Sequence, residues 1–119
     1  MNYIGNAGLK NAGLIINQGC SLSFSVIHRN SDGTIVDHSG SSANLVVKKP
    51  SGNEKLADFS QYISCGSEEI LATIPAEATA KLKPGGEYLW DLIVTTSSGE
   101  VIRLVYGPAV VEDTYSLDR

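Results

Sequence analysis

The chain has 119 residues and a mass of 12.6 kDa, with 42% apolar and 18% charged residues. That is enough for one domain with its own core, and it excludes a disordered polymer. A net charge of -4 and a pI near 5.0 exclude the basic face that nucleic acid requires.

Residues 1–13 read MNYIGNAGLKNAG, rich in Gly and Asn and without a period of 2 or 3.6. This composition predicts an extended N-terminal arm that does not pack onto its own body. Its apolar residues Tyr3, Ile4 and Leu9 are then candidate contacts for a neighbouring subunit. The start lacks the basic and apolar stretches of a secretory signal, and no run approaches the ~20 apolar residues of a membrane span. A reducing cytoplasm is therefore expected, with Cys20 and Cys65 as buried free thiols rather than a bridge.

The folded body is expected over 14–113. Leu14 to Ile16 read as a short strand closed by Asn17-Gln18-Gly19. From Cys20 to Val26, apolar residues alternate with three serines, the pattern of a half-buried strand. His28 sits at its end and reads as a structural histidine. Ser31-Asp32-Gly33 predicts a turn, Thr34 to Asp37 a short strand, and Ser39 to Ser42 a loop. Ala43, Leu45 and Val47 share one strand face, which runs out at Lys48-Lys49 into the turn signal Pro50-Ser51-Gly52-Asn53. An edge strand is expected around Lys55 to Phe59, a turn at Ser64 to Ser67, and a strand through Ile70, Ala72 and Ile74. Pro75 to Leu82 is the one helical segment, with Pro first, Glu77 in the opening turn and Lys81 in the last.

The clearest prediction is a hairpin of Glu87–Thr96 with Val101–Tyr106. A three-residue loop of Ser97, Ser98 and Gly99 pairs Val94 with Ile102, Leu92 with Leu104 and Trp90 with Tyr106. It also sets Asp91 diagonal to Arg103. Gly107-Pro108 should break the ladder before Ala109 to Val111, and 114–119 is a polar tail. Leu22, Phe24, Leu45, Ile74, Tyr88, Trp90, Leu92, Val94, Ile102 and Leu104 form the expected core. Six to eight short strands with one helix predict an all-β fold, an immunoglobulin-like antiparallel β-sandwich in preference to a small barrel.

Chemistry is sparse. Ser25, His28 and Asp32 lie in one strand and turn, without a nucleophile elbow. His38 has no second histidine at ligand spacing, and Asp32, Asp37 and Asp58 lack a calcium-loop pattern. Trp90 with Tyr88 and Tyr106 could stack on sugar, but the hairpin register puts Trp90 on the core face. No enzyme, cofactor or metal is expected.

The segments PAEATAKLKPGGEYLWDL (75–92) and SGEVIRLVYG (98–107) resemble a family of small phage and prophage virion proteins. INQG (16–19), the strand through Phe24, Asp32-Gly33, the Gly40 loop and LVVK (45–48) follow in the same order. The similarity spans residues 14 to 113 and lies in spacing and turn chemistry. It implies a non-enzymatic structural protein of a bacteriophage head, neck or tail, either capsid decoration or a baseplate adaptor. The implied partners are other virion proteins and further copies of this chain, with assembly in the host cytoplasm. A carbohydrate-binding module or receptor-binding accessory domain is the alternative.

Overall fold

The computed structural model describes residues 2–5, 12–50 and 54–116, with backbone alone for 2–5. Nine strands are present among these residues: β1 Asn2–Gly5, β2 Leu14–Asn17, β3 Leu22–His28, β4 Ser42–Lys48, β5 Lys55–Asp58, β6 Ile63–Cys65, β7 Ile70–Ile74, β8 Glu87–Thr95 and β9 Val101–Glu112. A 3-10 turn covers Ser60–Tyr62, and α1 is the single turn Ala76–Thr79. One sheet has the order β1-β3-β7-β6 and the other β2-β9-β8-β4-β5. The chain is all-β in two sheets.

Alternation along the strands builds the core. Phe24 and Val26 from one sheet meet Leu45, Val47, Trp90, Leu92 and Val94 from the other, and all are buried. Phe24 meets the Trp90 ring edge-on, with centroids 5.8 Å apart, the arrangement aromatic quadrupoles favour. Leu22, Tyr88 and Ile102 are only half-buried at the margin of this core.

The hairpin loop forms as its sequence predicts. Gly99 has φ of 92°, the Thr96 amide donates to the Glu100 carbonyl, and Val94 faces Ile102. The register then departs from expectation. Ile93 pairs with Arg103 and Leu92 with Val105, so Leu104 is a bulge residue and both Leu104 and Val105 turn inward. Tyr106 consequently faces Asp91, outside the core, and Trp90 faces Gly107. Arg103 still reaches Asp91 (3.4 Å) and lies over the Tyr106 ring.

Gly107-Pro108 does not break the ladder; β9 runs through it to Glu112. The physical reason lies on the far side of β9, where β2 pairs in parallel from Leu14 opposite Ala109. That register sets Ala12 beside Gly107, where a Cβ would stand 2.6 Å from the Ala12 carbonyl oxygen. Glycine permits the approach. Pro108 lacks the amide that a parallel ladder would next aim at Ala12.

Further expectations are corrected. Thr34 to Asp37 is not a strand; only Ile35 bridges Arg29, because Asp32 holds Thr34 in a turn. Ser64 and Cys65 belong to β6, whose pairing with β7 outweighs their turn propensity. The helix is one turn, with Pro75 as its N-cap and no basic residue in its last turn. Both cysteines are free, but half-buried. The antiparallel plan is interrupted by two parallel pairings, β1 with β3 and β2 with β9. Residues 2–5 of the arm therefore extend the body's own sheet. The turn residues 51–53 lie outside the described residues.

Candidate functional site

At one end of the molecule, the end of β3, the loop 29–41, the β6–β7 turn and the β8–β9 hairpin converge. The Arg29 guanidinium donates to the Gly33 carbonyl, and the Gly33 amide to Asn30, which folds the loop tip on itself. The Val36 amide returns to the His28 carbonyl (2.8 Å), and the His38 amide to Gly66 (3.1 Å). A cleft of roughly 420 Å³ lies here, lined by His28, Asp37, His38, Ser41, Thr96 and Glu100 among others.

The two histidines, ten residues apart, meet in this cleft. His28 Nδ1 stands 2.9 Å from His38 Nε2, with ring planes 15° apart and centroids 5.2 Å apart. A ring nitrogen lies about 1.2 Å from its imidazole centre, so these spacings set the rings end to end, not face to face. One nitrogen donates and the other accepts. His38 is 2% exposed. Burial lowers the affinity of both rings for a proton; the neighbouring His38 lowers His28 further, while Glu100 raises it. Asp37 acts in the raising direction on His38. Ser41 Oγ lies 3.5 Å from His38 Nδ1, beyond the reach at which a base activates a hydroxyl.

The three aspartates that lack a calcium-loop pattern each hold a turn. Asp32 Oδ1 accepts from the Thr34 amide and hydroxyl, Asp37 from those of Ser39, and Asp58 from those of Ser60. These bonds hold all three carboxyls below the usual aspartate range. The recurring Asp-x-Ser/Thr spacing is the legible sign of such turns. No group of three or more His, Cys, Asp or Glu is placed for a metal among the described residues.

A second feature lies on the outer face of the larger sheet. Ile15 (48% exposed) pairs across to Val110 (39%), and Leu89 (44%) to the exposed Pro108. They form an apolar strip across β2, β9 and β8. At one side it meets a groove lined by Pro50, Tyr88, Ala109 and the exposed Glu87, which pairs with Val110; at the other, Val110 adjoins the exposed Tyr115.

Of the arm residues singled out by sequence, Tyr3 pairs with Val26 and Ile4 with Ile27, whereas Leu9 lies outside the described residues. The expectation that 1–13 stays off its own body is corrected for Asn2–Gly5, because the free edge of β3 offers them a ladder. The sequence reading missed both the histidine pair and the strip. The pair is formed by loop closure, and the strip by side-by-side strands remote in sequence. Neither a protein-family model nor a curated protein matches this chain.

Proposed function

We propose that this chain is a non-enzymatic structural module of a bacteriophage particle, with an immunoglobulin-like fold, docking on neighbouring virion proteins or further copies of itself. The strand orders support the fold reading. With β3, β7 and β6 as B, E and D and β9, β8 and β4 as G, F and C, they follow the two-sheet immunoglobulin plan. Tyr88 adds to it: two residues before the core Trp90 at the start of the F-like strand, its hydroxyl donates back to the Lys83 carbonyl at 2.8 Å. This bond supports the reading, since such folds carry a tyrosine corner at the corresponding point. The virion reading is supported by the sequence resemblance over residues 14 to 113.

The observation that carries the docking role is the strip Ile15, Val110, Pro108 and Leu89. A surface with contiguous exposed apolar residues on a rigid sheet favours a covering partner. The strip is placed on the body of the sheet, whereas the backbone of Tyr3 and Ile4 pairs along β3. The carbohydrate alternative loses its platform, because Trp90 is buried and Arg103 covers one face of Tyr106.

The test uses gradient-banded particles from an induced lysogen, quantified by mass spectrometry for this chain. Co-banding at a fixed ratio to the capsid protein is expected, with a folded Leu89→Asp/Val110→Asp chain left unbanded. Banded particles without the native chain overturn the virion role, and equal incorporation of the charged chain overturns the strip.

A further inference from the structure

We propose that the His28–His38 pair is a proton-operated latch that holds the loop 29–41 over the end of β3 and releases it on acidification. The geometry carries the inference. Nearly coplanar rings facing each other nitrogen to nitrogen at 2.9 Å leave room for one hydrogen between them. A neutral pair keeps that bond, and a singly charged pair keeps it as a charge-assisted one. A doubly charged pair brings N–H against N–H and must separate. The unfastened chain imposes no such limit, so each ring takes its own proton below its ordinary range.

The surroundings reinforce the withholding of the second proton. His38 is buried, and charging it there forfeits hydration. The charged groups facing the pair come from three directions. Asp37, on the loop itself, is exposed, and its carboxylate already accepts from Ser39. Glu100, on the hairpin, favours charge at His28. Arg29, next to His28, turns its guanidinium to Gly33. The β6–β7 turn meets His38 through the Gly66 carbonyl, and its Glu68 and Glu69 side chains are exposed. One buried ring between partly screened carboxylates cannot make both charges favourable.

The latch has a defined object. His28 ends β3, while His38 sits where the chain crosses towards β4, and the Ser41 amide closes a turn on the His38 carbonyl. Separating the rings frees residues 36–41 and widens the cleft beside Thr96 and Glu100. The two sheets keep their core contacts.

Hydrogen exchange of the full chain at pH 7.5 and 5.5, corrected for intrinsic rates, reads the latch directly. Amides of residues 36–41 should exchange about tenfold faster at the lower pH, with those of β8 unchanged. In His38→Gln, whose side-chain amide can still reach His28, the difference between the two pH values should vanish. Ring 15N shifts of the native protein give a second readout that needs no variant: one facing nitrogen protonated and one bare at pH 7.5, both protonated at pH 5.5. Equal loop protection at both pH values overturns the latch. So does an acid response that persists in the glutamine variant, or ring nitrogens that show no mutual hydrogen bond at pH 7.5.

Discussion

The Trp90 indole donates its Nε1–H to the Ala12 carbonyl at 2.7 Å, in the place where a strand partner would have donated an amide. In the parallel register of β2 with β9, that amide would belong to residue 108, which is proline. The same side chain that fills the core thus completes a ladder that the backbone cannot. The Ala12 amide meanwhile donates to the Tyr106 carbonyl, so the body of the protein includes Ala12.

Truncation tests this boundary. Removing residues 1–13 is expected from composition alone to leave melting unchanged. The structure alters that expectation, because Ala12 leaves with the segment and Trp90 loses an acceptor. A chain starting at Ala12 should be more stable than one starting at Leu14 by about 1–3 kcal/mol, the usual cost of an orphaned buried polar group. Urea unfolding of the two truncated chains measures the difference.

Trp90 is the only tryptophan, and its burial at 2% exposure makes it a native-state reporter. Its emission should be blue-shifted in the folded chain and shift red on unfolding. Trp90→Ala should cost about 3–5 kcal/mol, a large share of the stability of a domain this size.

The Tyr88 hydroxyl bond to Lys83 ties β8 to the segment after α1. Tyr88→Phe keeps the ring and removes that bond. A loss of about 0.5–1.5 kcal/mol is expected in chemical denaturation, with the near-ultraviolet signature of Trp90 unchanged.

Much of this fold was legible because strands write their faces in alternate residues. Phe24, Leu45, Trp90 and Val94 reveal their burial by parity alone. The Gly99 loop was legible through its turn chemistry. What failed was whatever depends on an extra residue or a distant partner. The Leu104 bulge shifts the register by one without a Gly or Pro to mark it. Thr79 looks like a surface residue of a helix. It is fully buried, donating to the Cys20 carbonyl and accepting from the Gly19 amide. His28 and His38 carry no spacing signal, since the loop between them sets their approach.

Acid sensitivity should come in two separate windows. Both histidines have proton affinities below their ordinary 6.5 in the folded chain, chiefly through burial. The unfolded chain therefore binds more protons below that value, and stability must fall as pH drops from 6.5 towards the folded values. Asp32, Asp37 and Asp58 are held below 3.8 by their turn hydrogen bonds, so their contribution persists above 3.8 and is lost only beneath it. Unfolding midpoints measured from pH 8 to 3 should show a first decline starting near 6.5 and a second below 4. A flat profile between 7 and 5 contradicts the histidine assignment.

The substitution of an indole for a backbone donor can be tested as a coupling. Trp90→Phe removes the Nε1–H and leaves the Ala12 carbonyl without its donor, on top of the loss in ring volume. Pro108→Ala restores an amide at the position from which the parallel ladder would supply one. Alone, that change should be neutral to slightly destabilising: Trp90 already occupies the acceptor, and the unfolded chain gains roughly 0.4–1 kcal/mol of conformational freedom. Combined with Trp90→Phe, the new amide can donate to Ala12, and part of the loss should return. The double-mutant cycle should therefore give a favourable coupling of about 0.5–1.5 kcal/mol. Strict additivity of the two substitutions would mean that residue 108 and the indole do not share the Ala12 carbonyl. Cavity effects of the smaller ring appear in both Trp90→Phe arms and cancel, so the coupling reports the shared acceptor alone.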